Sequence, residues 1–82
     1  MQPAGQRLVV YVAPGCHLCE VALDVIESVR RERRFELEVI DITGNEELER
    51  AYRIDLPVGE IDGERVFRYE VTPADLRERL GR

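Results

Sequence analysis

The chain has 82 residues, of which 44% are hydrophobic and 35% are charged, and its formal net charge at pH 7 is −5. This length allows one domain with a modest core. The negative charge disfavours nucleic acid and anionic membranes as partners, because both reward a basic surface.

The N-terminus and the cysteine content set expectations for the location of the protein. Residues 1–6 lack the apolar core of a secretory signal, so we expect a disordered leader followed by one domain over residues 7–82. No apolar run is long enough for a transmembrane helix. The two cysteines are too few for a disulfide scaffold. Together these features predict a cytoplasmic protein, because structural disulfides are rare in that compartment.

A strand, a helix and a second strand are predicted in the first half of the chain. Residues 8–12 form a continuous apolar run rich in β-branched side chains, as in a strand buried on both faces. A helix is predicted from Cys16, after the Pro14-Gly15 break. Its apolar stripe consists of Leu18, Val21, Ala22, Val25, Ile26 and Val29. Residues 35–42 predict a second, parallel strand, which completes a βαβ unit.

The second half predicts a short helix, a hairpin and a final helix. A capping-box spacing that begins at Thr43 predicts the start of the short helix. Two strands are predicted on either side of Asp62-Gly63, a strong signal for a tight turn. Gly59, in the first of these strands, indicates a bulge or a close backbone approach. Thr72 is the predicted N-cap of the last helix.

The two cysteines, Cys16 and Cys19, open the longest predicted helix directly after a buried strand. Free backbone N–H groups and the positive end of the helix dipole lie there, so a thiolate is stabilised and its pKa falls. We expect Cys16 to be partly exposed and Cys19 to lie one turn further into the core. This asymmetry predicts that Cys16 attacks a disulfide and that Cys19 resolves the mixed disulfide.

Other interpretations of these residues stay open. Two cysteines on a helix can be ordinary buried residues, although the strand, break and helix favour a redox site. A structural zinc site takes four protein ligands, whereas the chain offers Cys16, Cys19 and a single histidine, His17, so a zinc site would be shared between two chains. His17 either modulates the redox potential by stabilising the Cys16 thiolate or is an exposed residue at the helix start.

Three further residues are candidates for substrate binding. Pro57 either starts an edge strand or follows a cis peptide bond that faces the dithiol. In the second case the backbone of Leu56 would pair with an extended substrate, a form of β-augmentation. Thr72, at the start of the last helix, would offer N–H donors to a substrate carboxylate.

Several segments together resemble the glutaredoxin-like branch of the thioredoxin superfamily, over about residues 7–80. They are Tyr11–Cys19, Asp41-Ile42, Leu56-Pro57-Val58 and Asp62-Gly63. The resemblance implies an α/β protein with the thioredoxin fold, in the order β-α-β-α-β-β-α, whose four-stranded mixed sheet has helices on both faces. It also implies thiol–disulfide oxidoreductase activity, with Cys16 as the nucleophile, Cys19 as the resolving thiol and a cis-proline at Pro57.

The chain departs from the residues that glutaredoxins use for glutathione. His17-Leu18 stands where Pro-Tyr is usual, and no cation lies among residues 13–15. Asp55 stands where a threonine is usual, and residues 70–75 replace a Gly-Gly-acidic segment. These departures make glutathione a weaker candidate ligand. No bound cofactor is expected, because electrons would pass through the cysteines themselves.

The leading hypothesis is an enzyme, a dithiol–disulfide oxidoreductase that acts on protein or small-molecule disulfides. Its expected partners are a disulfide-containing protein or a small thiol, with a reductase or glutathione as electron donor, and the protein itself is expected to be a monomer. The alternative is a thioredoxin-fold binding module that holds or delivers a metal or an iron–sulfur cluster through the two cysteines.

Overall fold

A computed structural model describes residues 6–80. The elements are β1 (Arg7–Val12), α1 (His17–Arg30), β2 (Glu36–Asp41), α2 (Glu46–Tyr52), a 3₁₀ turn (Arg53–Asp55), β3 (Val58–Ile61), β4 (Glu64–Arg68) and α3 (Pro73–Leu80). Residues 1–5 of the expected leader, and residues 81–82 of the expected domain, lie outside the described residues. Gln6 is described, and its carbonyl accepts a hydrogen bond from the Glu36 amide at 3.1 Å. Among residues 6–80, no helix is both long and apolar enough to cross a membrane.

The four strands form one mixed sheet in the spatial order β2-β1-β3-β4. The central strand β1 pairs in parallel with β2 and antiparallel with β3, and β3 pairs antiparallel with β4. Helix α1 connects the parallel pair, because parallel neighbours need a long crossover. The predicted order of elements and the predicted mixed sheet are therefore confirmed.

The buried apolar residues form two clusters, and β1 contributes side chains to both faces of the sheet. Leu8 and Val10 of β1 belong to the larger cluster, together with buried residues of α1 and α3. Tyr11 has the opposite orientation in the strand, and its ring stacks on Tyr52 of α2. The smaller cluster, called here the cysteine cluster, consists of Ala13, Cys19, Ile42 and Leu56. Helices thus cover both faces of the sheet, as predicted.

The apolar stripe of α1 differs from the predicted one. The buried residues are Cys19, Ala22, Ile26 and Val29. Leu18 and Val21 belong to the predicted stripe but are 46% and 43% exposed, whereas Leu23, which is outside the predicted stripe, packs against the core. With 3.6 residues per turn, Leu18 and Val21 lie to one side of the line through the buried residues, so they flank the contact with the sheet.

The β3–β4 hairpin has the predicted turn. Asp62 and Gly63 have φ angles of 54° and 82°, as a type I′ turn requires. The pairing register shifts between Gly59 and Glu60, which marks a bulge. A Cβ atom at Gly59 would overlap the ring of Phe67. Both expected explanations for Gly59, a bulge and a close approach, therefore apply.

Helix α2 begins later than the capping-box spacing predicts. Its N-cap is Asn45, whose side-chain oxygen accepts the Leu48 N–H at 3.0 Å. The Thr43 N–H instead donates to the Asp41 carboxylate at 2.9 Å. Gly44 has a φ of 87°, which is incompatible with a right-handed helix. The prediction of Thr43 as the cap is therefore wrong, and asparagine is also the stronger capping residue.

Candidate functional site

Local backbone geometry places Cys16 at the start of α1. After β1 the chain turns through Pro14 and Gly15, and Gly15 has a φ of 76°. Glycine adopts this conformation without steric cost. Cys16 then has φ −96° and ψ 102°, the extended backbone of an N-cap residue. The helix start therefore agrees with the prediction to within one residue.

The two cysteines form a disulfide whose Cα atoms are 5.2 Å apart. Cys16 Sγ also accepts the backbone N–H of Cys19 at 3.1 Å, so the sulfur takes the place of a capping oxygen. Cys16 is half-buried, whereas Cys19 is only 3% exposed. The site thus has the expected asymmetry of one partly exposed and one buried cysteine.

The two residues between the cysteines point to solvent. The His17 side chain is 85% exposed, and its Nδ1 lies 4.0 Å from the Glu20 carboxylate. Leu18 is likewise exposed. This position fits the plainer interpretation of His17, and its influence on the Cys16 thiolate stays a prediction.

The loop before β3 reaches the dithiol. Leu56 is 8% exposed and packs with Cys19 in the cysteine cluster, against which Cys16 also packs. The Leu56-Pro57 bond is cis, and Pro57 is buried. The Pro57 carbonyl accepts the Tyr69 N–H at 2.9 Å. The structure therefore brings together three of the candidate residues, the two cysteines and Leu56, and Pro57 directly follows Leu56 in the chain.

Asp55, one residue before Leu56, is paired with cations. Its carboxylate accepts hydrogen bonds from Arg65 Nη1 at 3.1 Å, Arg68 Nη1 at 3.4 Å and the Tyr69 hydroxyl at 3.1 Å. Partial burial alone would raise the pKa of Asp55. The hydrogen bonds and the two positive charges outweigh burial, so the pKa is held below its ordinary value.

A tyrosine pair beside the cysteine cluster is not predicted by the sequence patterns. The rings of Tyr11 and Tyr52 stack with centroids 4.0 Å apart and planes inclined by 10°. The Tyr52 hydroxyl donates to the Glu60 carboxylate at 2.7 Å, and this bond, together with partial burial, raises the pKa of Tyr52. In the sequence, Tyr52 is visible only as the last residue of the short apolar stripe of α2. No local pattern indicates that its partner is Tyr11 on β1.

Thr72 lies at the start of α3. Its hydroxyl accepts the Asp75 N–H at 3.0 Å, which confirms the predicted N-cap of α3. The neighbouring Val71 packs with Leu76 in the larger cluster rather than in the cysteine cluster. The packing therefore does not join Thr72 to the dithiol, and its role in substrate binding stays a prediction.

The site offers one partly exposed cysteine, a second cysteine bonded to it and a backbone segment at Leu56 that packs in the same cluster. These parts fit thiol–disulfide exchange, in which one thiolate attacks and a second thiol resolves. Within the part of the chain that the structure describes, no three His, Cys, Asp or Glu side chains are grouped so that they could hold a metal ion.

Known proteins similar to this chain include a curated relative from Dictyostelium discoideum, described as a glutaredoxin-like protein, the YDR286C homolog. It is 33% identical over 67 residues, which cover 74% of this chain and 62% of the relative. The chain therefore spans about three fifths of the relative's length.

Solved structures share the architecture. Protein Ne2328 from Nitrosomonas europaea has a TM-score of 0.82 at 34% identity, covering 99% of this chain and 98% of that one. The X. campestris protein XcR50 has a TM-score of 0.77 at 26% identity, covering 89% and 93% of the two chains. A thioredoxin from Fasciola hepatica has a TM-score of 0.63 at 26% identity, covering 93% and 78%. The predicted thioredoxin fold is therefore confirmed.

The family itself is identified by a match that spans nearly the whole chain. Residues 7–81 match the family model described as Glutaredoxin-like domain (DUF836). This span includes every strand and helix of the fold and both cysteines. The chain therefore belongs to the glutaredoxin-like domain (DUF836) family.

Proposed function

We propose that this protein is a thiol–disulfide oxidoreductase in which Cys16 is the nucleophile and Cys19 the resolving thiol. The observation that carries the proposal is Cys16 Sγ at the N-cap of α1, 3.1 Å from the Cys19 amide nitrogen. Once the disulfide is reduced, this amide and the helix dipole would stabilise a thiolate on Cys16. The thiolate is the form of cysteine that attacks disulfides.

The proposed exchange has two balanced steps. The Cys16 thiolate attacks one sulfur of a substrate disulfide, and the other substrate sulfur leaves as a thiolate that takes a proton from solvent. Cys19 then loses its proton and attacks Cys16 Sγ, which releases the second substrate thiol and forms the Cys16–Cys19 disulfide. The substrate gains two electrons, and the protein ends in the oxidised form that the structure holds. A reductase or glutathione would then restore the dithiol.

Leu56 is the proposed contact for the substrate main chain. It packs beside Cys19, just before β3 begins at Val58. An extended segment of substrate laid along Leu56 would form main-chain hydrogen bonds next to the sulfur under attack. Pro57 supports this arrangement because it is buried and its carbonyl is bonded to Tyr69.

Protein or small-molecule disulfides are the proposed substrates, and glutathione is a weaker candidate. The two cations that lie nearest in sequence after Pro57, Arg65 and Arg68, already bind Asp55. A carboxylate of glutathione would therefore have to compete with Asp55 for these arginines. Residues 13–15 supply no cation in their place.

Single cysteine variants test the two roles. We expect Cys16→Ser to abolish catalytic reduction of a small aromatic disulfide such as dithionitrobenzoate, because the buried Cys19 cannot replace the accessible sulfur. Cys19→Ser should complete only the first step, so mass spectrometry should find one substrate thiol attached to Cys16. A Cys16→Ser variant with wild-type turnover, or a wild-type protein that reduces no disulfide, would contradict the proposal.

The alternative, a module that holds or delivers a metal or an iron–sulfur cluster, makes a different prediction. Residues 6–80 provide no third ligand grouped with the cysteines, so a second chain or a small thiol would have to complete the site. Metal analysis, an absorption spectrum and the molecular mass after anaerobic purification distinguish the two functions. Stoichiometric metal that is lost in Cys16→Ser would favour the alternative.

A further inference from the structure

Apolar burial is confined to the end of the segment that carries Leu56 and Pro57. Residues 53–57, called here the Pro57 segment, begin with a 3₁₀ turn that has no buried residue, and α2 before it has none either. Ile54 is 83% exposed. Leu56 and Pro57 are buried at the end of the segment, whereas residues 53–55 are not. The position of residues 53–55 therefore depends on polar contacts.

Asp55 provides these contacts. Its carboxylate is only 15% exposed and accepts hydrogen bonds from Arg65, Arg68 and Tyr69. Both arginines belong to β4, and Tyr69 directly follows that strand. Because two of the donors lie on one strand of the sheet and the third directly follows it, the carboxylate ties the Pro57 segment to a rigid part of the fold. Arg65 also lies 5.4 Å above the Tyr52 ring, which extends the link to the end of α2.

Tyr69 bonds to the Pro57 segment at a second point. Its hydroxyl donates to Asp55 at 3.1 Å, and its backbone N–H donates to the Pro57 carbonyl at 2.9 Å. Leu56 lies between these two attachment points. Tyr69 has a φ of 70°, which is uncommon for a bulky residue and tends to persist where surrounding contacts enforce it.

From these contacts we infer that Asp55 is a positioning residue, which holds the Pro57 segment so that the Leu56 main chain can pair with an extended substrate beside the dithiol. The inference rests on the proposed oxidoreductase function. Asp55 acts through Leu56 and does not itself touch the reacting sulfurs. A displacement of about 1 Å at such a site can cost about 100-fold in rate. A small disulfide that needs only the Cys16 sulfur would not be affected in this way.

The test compares two disulfides in the Asp55→Asn variant. This nearly isosteric change removes the charge that binds Arg65 and Arg68. We expect kcat/KM for a disulfide within an extended peptide to fall about 10-fold or more, mainly through KM, and the rate with dithionitrobenzoate to change by less than about twofold. Asp62→Asn is the matched control, because it removes the same charge at an exposed turn whose φ of 54° asparagine tolerates.

A second variant, Tyr69→Phe, removes only one hydroxyl and should shift the ratio of the two rates in the same direction by a smaller factor. It also provides the test if Asp55→Asn does not fold. Equal losses with both disulfides would mean that Asp55 only stabilises the fold, and an unchanged ratio in both variants would equally overturn the inference. A wild-type protein that reduces neither disulfide would instead overturn the proposed function.

Discussion

At the scale of single residues, Cys16 occupies an N-cap position where Ser, Thr, Asp and Asn are the usual residues. A thiol accepts hydrogen bonds more weakly than a hydroxyl does. Serine at this position would therefore cap α1 at least as well as reduced cysteine. The activity loss expected for Cys16→Ser can thus be separated from unfolding by comparing its stability with that of the reduced wild-type protein.

The close approach of Gly59 to Phe67 predicts that a larger residue at position 59 destabilises the protein. In Gly59→Ala the new methyl group would overlap the Phe67 ring. Overpacking of this kind costs about 1–3 kcal/mol, which exceeds the gain of about 0.4–1 kcal/mol from a stiffer unfolded chain. We therefore expect a net loss of stability, measured by urea unfolding.

A double-mutant cycle isolates the cause of that loss. In a Phe67→Leu background the aromatic ring is absent, so Gly59→Ala should cost markedly less than it does in the wild-type background. Equal costs in the two backgrounds would show that contact with the Phe67 ring is not the reason for glycine at this position.

At the scale of elements, α2 and α3 have similar caps but differ in burial. Asn45 caps α2 and Thr72 caps α3, each through one side-chain oxygen. No residue of α2 is buried, whereas Leu76 and Leu80 of α3 are. Helix α2 contributes only the half-buried Leu48 and Tyr52 to the packing, so its opening exposes less apolar surface than opening of α3 and can occur without unfolding of the sheet.

This difference predicts distinct effects for two cap substitutions. Asn45→Ala and Thr72→Ala each remove a cap worth about 0.5–2 kcal/mol. We expect Asn45→Ala to speed hydrogen exchange mainly within α2 and Thr72→Ala to lower the free energy of global unfolding. Thr72→Ser, which keeps the hydroxyl, serves as the control. Global destabilisation by Asn45→Ala equal to that by Thr72→Ala would contradict the idea that α2 opens alone.

At the scale of the whole molecule, carboxylates with lowered pKa values connect separate elements. Glu32, just after α1, forms a bidentate pair with Arg77 of α3, and this hydrogen bonding is the main reason that its pKa is lowered. The hydrogen bond from Arg53 likewise lowers the pKa of Glu49. Asp55, at the end of the 3₁₀ turn, is the third such group, and its cationic partners Arg65 and Arg68 belong to β4.

The sign of the resulting pH dependence follows from linkage. A carboxyl whose pKa is lower in the folded state contributes its full stabilisation above its unfolded pKa, about 4, and loses it as the pH falls through the folded value. We therefore expect these groups to leave the urea concentration at the unfolding midpoint unchanged between about pH 6 and 7. When the pH is lowered below about 4, that concentration should decrease.

A salt series provides the control for this pH dependence. The pairs are exposed or only partly buried, so added salt should screen part of the effect. In Glu32→Gln the loss of stability in acid should be smaller than in the wild-type protein. An increase in the urea concentration at the midpoint when the pH is lowered below about 4 would contradict the stabilising role of these carboxylates.

The sequence by itself determined the order of the elements, the cysteine pair at a helix start, the Asp62-Gly63 turn and the Thr72 cap. Each of these depends on residues within about one turn of each other, where backbone preference and side-chain capping decide the conformation. The cap of α2 was missed, because Asn45 and Gly44 outweigh the competing signal at Thr43.

Only the tertiary structure decided which helical positions are exposed, which aromatic rings stack and what Asp55 binds. Leu18 and Val21 satisfy a helical period, but the sheet covers only one side of α1. Asp55 and Tyr69 are 14 residues apart, and the cis-proline segment and β4 become neighbours only after strand pairing. Residue pairs at such separations carry no local signal, because the chain between them, and not the residues themselves, determines whether they meet.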